Sequence, residues 1–267
     1  MNFTRTAPRL RRIPSLVHVT SAMPLPGLLA QLTAEARPRL TWYSGVERIE
    51  LSGQVLDNWV TKVANFLVEE YEAGPGTRVS LDLPVHWRSV VWAFAVWRVG
   101  ACLTASRTGR IHLVVSDRPA ERAAEADTPV VALGLPALAR AFDGPLPEGV
   151  VDATGSVMGY GDVLTWMPEP DPLAPAIDLD GRSVLHRALP EWATGSLGVT
   201  DAVEQRARVL VEPADPRGDL LASLGAAVAV YGANGSLLIH EPITDDAKRA
   251  HLVATERVTR SLVLGNG

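Results

Sequence analysis

Segments of strand character alternate with segments of helical period along nearly the whole chain, and this alternation limits the folds open to it. Parallel strands need a crossover between them, most often a helix. A β–α–β–α order therefore predicts an α/β protein with a mainly parallel sheet covered by helices on both faces. Residues 24–36 read as a first helix, with Leu28, Leu29 and Leu32 on one face. Strands near 39–43 and 46–51 flank the hairpin signal Ser44-Gly45. Ser52 stands as an N-cap before a helix over 53–71, where Leu56, Trp59, Val60, Val63, Phe66 and Leu67 recur every three or four residues. Gly74-Pro75-Gly76 stops it, and a strand over 78–83 ends at Pro84. The stretch 87–103 is apolar nearly all round and predicts a buried helix.

The second half continues the pattern. Strands are expected at 111–115 and 129–133, with short helices at 120–126 and 135–142. Residues 143–175 are rich in Pro and Gly without a clear period, so a loop-rich middle is expected there. A strand at 176–179, a helix from about Arg182, a strand at 208–212 and a helix at 218–231 come next. A strand at 236–240, a helix at 244–259 and a strand at 261–264 complete the order. Residues 23–267 are expected to form a single domain, and 1–22 a disordered extension from an upstream start codon.

Composition narrows the function classes. With 47% hydrophobic and 21% charged residues among 267, the chain can bury a core, and wholesale disorder is excluded. A net charge of −5 gives no basic field for nucleic acid. Only Lys62 and Lys248 are lysines, so chemistry that needs one has two candidates. The single cysteine, Cys102, excludes an internal disulfide and fits a reducing compartment; in its apolar run it reads as a buried thiol. No run reaches the roughly 18 apolar residues of a membrane helix. The N-terminus, with Arg5, Arg9, Arg11 and Arg12 ahead of a weak apolar patch, is a poor signal peptide. A cytoplasmic location without membrane partners is the expectation.

The stretch 39–103 resembles the opening of the adenylate-forming superfamily: acyl-CoA synthetases, nonribosomal adenylation domains and luciferases. The resemblance rests on Leu40-Thr41-Trp42-Tyr43, Leu51-Ser52, Pro75-Gly76-Thr77-Arg78-Val79, Leu83-Pro84 and Gly100-Ala101, in that order and spacing. Arg208-Val209-Leu210-Val211, a helix, and Gly235-Ser236-Leu237-Leu238-Ile239 fit a later strand–helix–strand more loosely. The chain is similar to short proteins of high-GC bacteria that match only the N-terminal part of these enzymes and have no assigned function. The resemblance implies a truncated N-terminal domain of that fold.

The same resemblance implies an ATP site with magnesium, built on a Ser/Thr/Gly-rich loop ending in Pro-Lys-Gly. Small residues let backbone N–H groups approach the phosphates, and the lysine adds charge. That loop should fall between Ala176 and His186, where the hydroxyl-rich run and the lysine are absent. Asp178 and Asp180 would lie against phosphate, each contact at about 4 Å costing roughly 1 kcal/mol in water and about 4 nearer the protein. The remaining candidates for a degenerate site are Gly181, Arg182, Ser183 and His186, the arginine, serine and histidine placed at the start of the expected helix. The family's adenine loop, ribose-binding aspartate and catalytic lysine are expected downstream of about residue 250, and the chain ends at Gly267. Self-sufficient adenylation is therefore not expected, nor a bound ATP or AMP cofactor.

Other constellations are weaker. Segments 153–159 and 194–200 echo a phosphate loop, but neither has a lysine or clearly runs from strand into helix. The six histidines have no zinc spacing, and no G-x-S-x-G frames a nucleophile. Trp87, Trp92 and Trp97 recur every five residues, a step of about 140° around a helix, which suits packing better than a stacking platform. Three readings remain. The first is a degenerate, non-catalytic homologue acting as a binding or assembly module, covered by a second copy or a protein partner. The second is one half of a split acyl-adenylating enzyme. The third is a small-molecule or nucleotide-binding enzyme of altered chemistry using Arg182, Ser183 and His186.

Overall fold

A computed structural model describes residues 25–45, 47–105, 109–124, 128–164, 166–179, 182–196 and 203–265. The expected extension over 1–22 lies outside them. A first helix, α1 (Leu25–Thr33), leads into the hairpin β1 (Pro38–Ser44) and β2 (Glu47–Ser52). Helix α2 (Gly53–Tyr71), strand β3 (Arg78–Asp82), helix α3 (Trp87–Arg98) and strand β4 (Cys102–Thr104) follow. Next come β5 (Leu113–Ser116), α4 (Pro119–Ala123), β6 (Val130–Ala132), β7 (Val151–Asp152) and the single turn α5 (Ala153–Ser156). The remaining elements are β8 (Pro175–Leu179), β9 (Arg182–Leu185), α6 (Leu189–Ser196), β10 (Arg208–Glu212), α7 (Leu220–Gly232), β11 (Ser236–His240), α8 (Asp246–Thr255) and β12 (Arg260–Val263).

Two sheets result. One has the order β12-β10-β11-β1-β2 and is parallel except for β2. The other runs β7-β6-β5-β3-β4-β8-β9 and is parallel except for β9. Helix α3 touches β1 of the first sheet and β3 and β4 of the second, so it lies between them. Its residues from Trp87 to Trp97 are all buried, which explains the absence of a polar face in its sequence. The tryptophans spread as their spacing requires. Trp87 meets Trp59 and Trp92 meets Phe66, both from α2, while the Trp97 indole N–H donates to the Ala176 carbonyl of β8 at 2.9 Å.

The caps set the boundaries. Ser52 accepts from the Val55 amide at 3.3 Å, as its sequence position predicts. Helix α3 stops at Arg98, five residues before the expected end at Leu103. Gly100 takes φ +77° and its amide donates to Trp97 O, while Ala101 N donates to Val96 O. That is a Schellman cap, which the glycine permits and a continuing helix does not. The apolar tail of the run then becomes β4. Helix α7 ends in the same way: Asn234 at φ +52° donates to Tyr231 O, and Gly235 N to Val230 O.

Two expected helices are absent. Residues 135–142 form bends, because groups from elsewhere take up their backbone: Ala137 N donates to Glu47, Phe142 N to Asp152, and Ala139 O accepts from Arg88. The helix expected from Arg182 is instead strand β9, paired antiparallel with β8 through Leu179↔Arg182, Asp178↔Ser183 and Ile177↔Val184.

The α2 N-terminus gives a test with two opposite expectations. Ser52→Ala should cost about 1 kcal/mol, the value of a lost cap. Gly53→Ala should stabilise an isolated helix by about 1 kcal/mol. Here a Cβ at Gly53 would stand 1.8 Å from the Leu32 carbonyl oxygen of α1. The substitution is therefore expected to destabilise by about 3 kcal/mol, read by urea unfolding. A stabilised Gly53→Ala protein would contradict this close approach of α1 and α2.

Candidate functional site

The position expected to hold a phosphate loop is flanked by paired antiparallel strands. Only residues 180 and 181 separate the paired Leu179 and Arg182. Gly181 and Asp180 lie outside the described residues. Arg182 and Ser183 are consecutive and exposed on β9, so their side chains point to opposite faces. They do not stand at a helix N-terminus, where amides converge on an anion. His186 begins a single 3₁₀ turn, half-buried, with its amide on the Ala174 carbonyl at 3.0 Å and its pKa lowered by burial. Asp178 does not project toward a ligand as expected; it forms an ion pair with Arg78, whose guanidinium also donates to Thr104 Oγ1 at 3.1 Å. The Asp-Gly pair at 180 and 181, a strong hairpin signal between alternating apolar residues, is what the sequence reading passed over.

The second glycine-rich segment behaves differently from expectation. Strand β7 runs directly into α5, so residues 153–156 do pass from strand to helix. Asp152 caps that turn, accepting from Thr154 N at 2.9 Å and Gly155 N at 3.3 Å. A carboxylate thus holds the amides a phosphate would need. The third segment begins inside α6 with Thr194-Gly195-Ser196; residues 197–200 lie outside the described residues. Of the two lysines, Lys62 donates to the Tyr160 carbonyl, and Lys248 is exposed on α8.

Two crevices include carboxyl ends of strands, the usual ligand position of open α/β sheets. One, of about 780 Å³, is lined by Ser80–Asp82 of β3, Leu103–Ala105 at the end of β4, Arg122, Arg217 and the first turn of α7, and it extends to Ile111 and Thr128 ahead of β5 and β6. At its mouth Asp82 is held by Arg118 at 2.8 Å, Arg122 at 2.9 Å and Ser116 at 2.7 Å, and these partners keep its carboxyl well below the usual range. Arg217 pairs with Asp117 at 2.8 Å. These guanidinium groups are matched by carboxylates already in place.

The other crevice, of about 300 Å³, lies where the two sheets meet. Trp42 and Ser44 lie in the last part of β1, Ile239 lies near the end of β11 and Glu241 follows it, Pro84 and His86 follow β3, and Glu47 opens β2. His86 is buried and caps α3, its Nδ1 accepting from the Arg88 amide at 3.1 Å. Its ring stands edge-on to Trp42 at 4.3 Å between centroids. Burial and the neighbouring Arg88 charge push its pKa down to about 3, so the ring is neutral at pH 7. No local motif announces this group, because its members come from separate loops. The one signal is that most of them follow strand ends.

No family model matches the chain. A TIGR03089 family protein of Mycobacterium tuberculosis (strain ATCC 25618 / H37Rv) is 34% identical over 236 residues, covering 84% of this chain and 91% of that protein. The chain belongs to the TIGR03089 family. Among solved structures, it is similar to an acyl-CoA synthetase of Brucella canis, with a TM-score of 0.66 and 19% identity, over 90% of this chain and 47% of the synthetase. A fatty acyl-adenylate ligase from L. pneumophila, in complex with acyl adenylate and pyrophosphate, gives 0.64 at 12% identity, over 89% and 44%. The amide bond synthetase McbA of Marinactinospora thermotolerans gives 0.63 at 16%, over 89% and 48%. The fold is that of the N-terminal half of adenylate-forming enzymes, and the chain spans about half the length of these relatives. Among the described residues, no helix is long and apolar enough to cross a membrane.

His86 makes this family member acid-sensitive in a defined window. The unfolded chain takes a proton near the ordinary pKa of 6.5, whereas the folded one takes it only near 3. Stability contributed by neutral His86 is therefore present above about pH 6.5 and falls as pH drops toward 3, by up to about 1.4 kcal/mol per unit. His86→Asn keeps a capping oxygen and removes the titration. Its unfolding free energy should fall less steeply between pH 6.5 and 4 than that of the parent; parallel slopes would contradict the assignment.

Proposed function

We propose that this chain is a non-catalytic binding or assembly module on the N-terminal half of the adenylate-forming fold, engaged by a second copy or a protein partner. The observation that carries this reading is the β8–β9 hairpin. The register leaves two residues, 180 and 181, between paired strands where a phosphate-wrapping loop is needed. A triphosphate needs several convergent amides and a nearby cation. Here Arg182 and Ser183 sit in an antiparallel strand, Asp178 is bound to Arg78, and Asp152 occupies the amides of α5. These residues do not fit a nucleoside triphosphate.

The adenylate-forming relatives are described with acyl adenylate and pyrophosphate, or with ATP. What this chain shares with them is the frame: two sheets around a buried helix, with crevices at the strand ends.

Isothermal titration of the folded protein with magnesium ATP should give no saturable heat up to about 10 mM, a concentration that would reveal even millimolar binding. Size-exclusion chromatography with light scattering should show self-association, or a monomer that shifts mass with a partner. Saturable one-site binding of magnesium ATP would overturn the non-nucleotide reading.

A further inference from the structure

The crevice between the two sheets carries an unusual charge for its position. Carboxyl-end crevices normally favour anions, because helix N-termini point amides into them. Here the α3 N-terminus is plugged: the neutral imidazole of His86 takes the Arg88 amide, and Ser89 Oγ is turned onto the Pro84 carbonyl at 2.6 Å. The charged side chains lining the crevice are both carboxylates, Glu47 and Glu241. Glu241 accepts from Ser44 Oγ at 2.5 Å and Glu47 from the Ala137 amide at 3.2 Å, so each is oriented by a neutral donor. The walls are otherwise apolar: Trp42, Val85, Leu135, Ile239 and the prolines 84, 136, 213 and 216. The half-open crevice has a volume of about 300 Å³, the lower end of the range for small-molecule sites.

We propose that this crevice binds a small organic cation, a primary ammonium on a short aryl or alkyl body. The ammonium would lie toward Glu47 and Glu241, where three donors meet carboxylate oxygens. The body would fill the space beside Trp42 and the proline walls. An indole is the best aromatic partner for a cation, and it also packs an apolar chain. A carboxylate or phosphate ligand meets two like charges and no compensating base among the lining residues. The chemistry is thus the reverse of an anionic nucleotide site. The assignment does not depend on the non-catalytic reading: a magnesium ATP titration and an ammonium titration succeed or fail separately.

The test is calorimetry on the full chain with three probes of one shape: phenethylammonium, 2-phenylethanol and 3-phenylpropanoate. Phenethylammonium should bind with one site, roughly tenfold or more tighter than the alcohol, and the carboxylate should not bind. Affinity should weaken with added salt, since Glu241 is exposed. In the Glu47→Gln/Glu241→Gln double variant, the amide oxygens still accept from Ala137 and Ser44, so the local fold is kept. Phenethylammonium binding there should drop roughly tenfold, to the level of the alcohol. Thermal unfolding of the variant, matched to the parent, separates lost binding from lost structure. The proposal is overturned if ammonium and alcohol bind equally, if the carboxylate binds more tightly, or if the folded double variant binds phenethylammonium unchanged. No heat from the ammonium up to about 10 mM with the folded parent also overturns it.

Discussion

A helix buried on every side is the constraint around which this protein is arranged. Helix α3 can lie between two sheets only if its polar groups are met without water, since an unmet buried donor or acceptor costs about 1–3 kcal/mol. Each end is met differently. His86 accepts the Arg88 amide at the start, and the Gly100 cap folds the last carbonyls into hydrogen bonds. Arg98 leaves the far end toward α2, onto Thr61 and Asp57. Arg88 is harder to accommodate, being 5% exposed with no carboxylate partner among the described residues. Its guanidinium lies 4.6 Å from the Trp87 ring centroid and donates to the Ala139 carbonyl, and burial lowers its pKa to about 10. The ring face and a carbonyl dipole supply what a counter-ion would otherwise supply.

The same solution recurs at the opposite end of the sheets. Arg39 is fully buried on β1 and donates to the carbonyls of Leu32, Asn234 and Gly235. Leu32 lies in the last turn of α1, and Asn234 and Gly235 follow α7. One guanidinium thus serves the negative ends of two helices at once. Carbonyls at helix C-termini are fixed in direction, so the cation also fixes how α1 and α7 meet the sheet. Arginine suits this because its donors fan out in a plane, where a lysine would offer one point charge.

Most of the fold could be read from residue order because its signals are local. Helix α2 and strands β10 and β11 fall at the expected positions, where period, cap and turn residues agree. The misreadings occur where distant groups decide. Residues 135–142 have helical composition, but Glu47, Asp152 and Arg88 claim their backbone from other elements. The run 87–103 was legible as buried and not as divided, since helix and strand are equally apolar when both lie between layers. For the site, the absence of a lysine and of a hydroxyl-rich loop was legible, whereas the actual crevice was not. Trp42, Glu47, His86 and Glu241 are spread over about two hundred residues and meet only once both sheets are formed.

This separation leaves the frame and the loops that line the crevices largely independent of one another. The frame depends on α3, on the Schellman turns that feed β4 and β11, and on buried cations that tie helix ends to sheets. Of these residues, Trp97 of α3 reaches the β8–β9 hairpin at Ala176, ahead of the last pair Leu179 and Arg182. A loop there can shorten to a hairpin without disturbing the core, because β8 and β9 lie at one end of their sheet and α3 packs on β3 and β4. The strand-end crevices survive as a geometric consequence of parallel strands and returning helices, whatever side chains line them. Their charge is then free to change with single substitutions in loops. At the junction of the sheets it is acidic, with Glu47 and Glu241 beside the indole of Trp42.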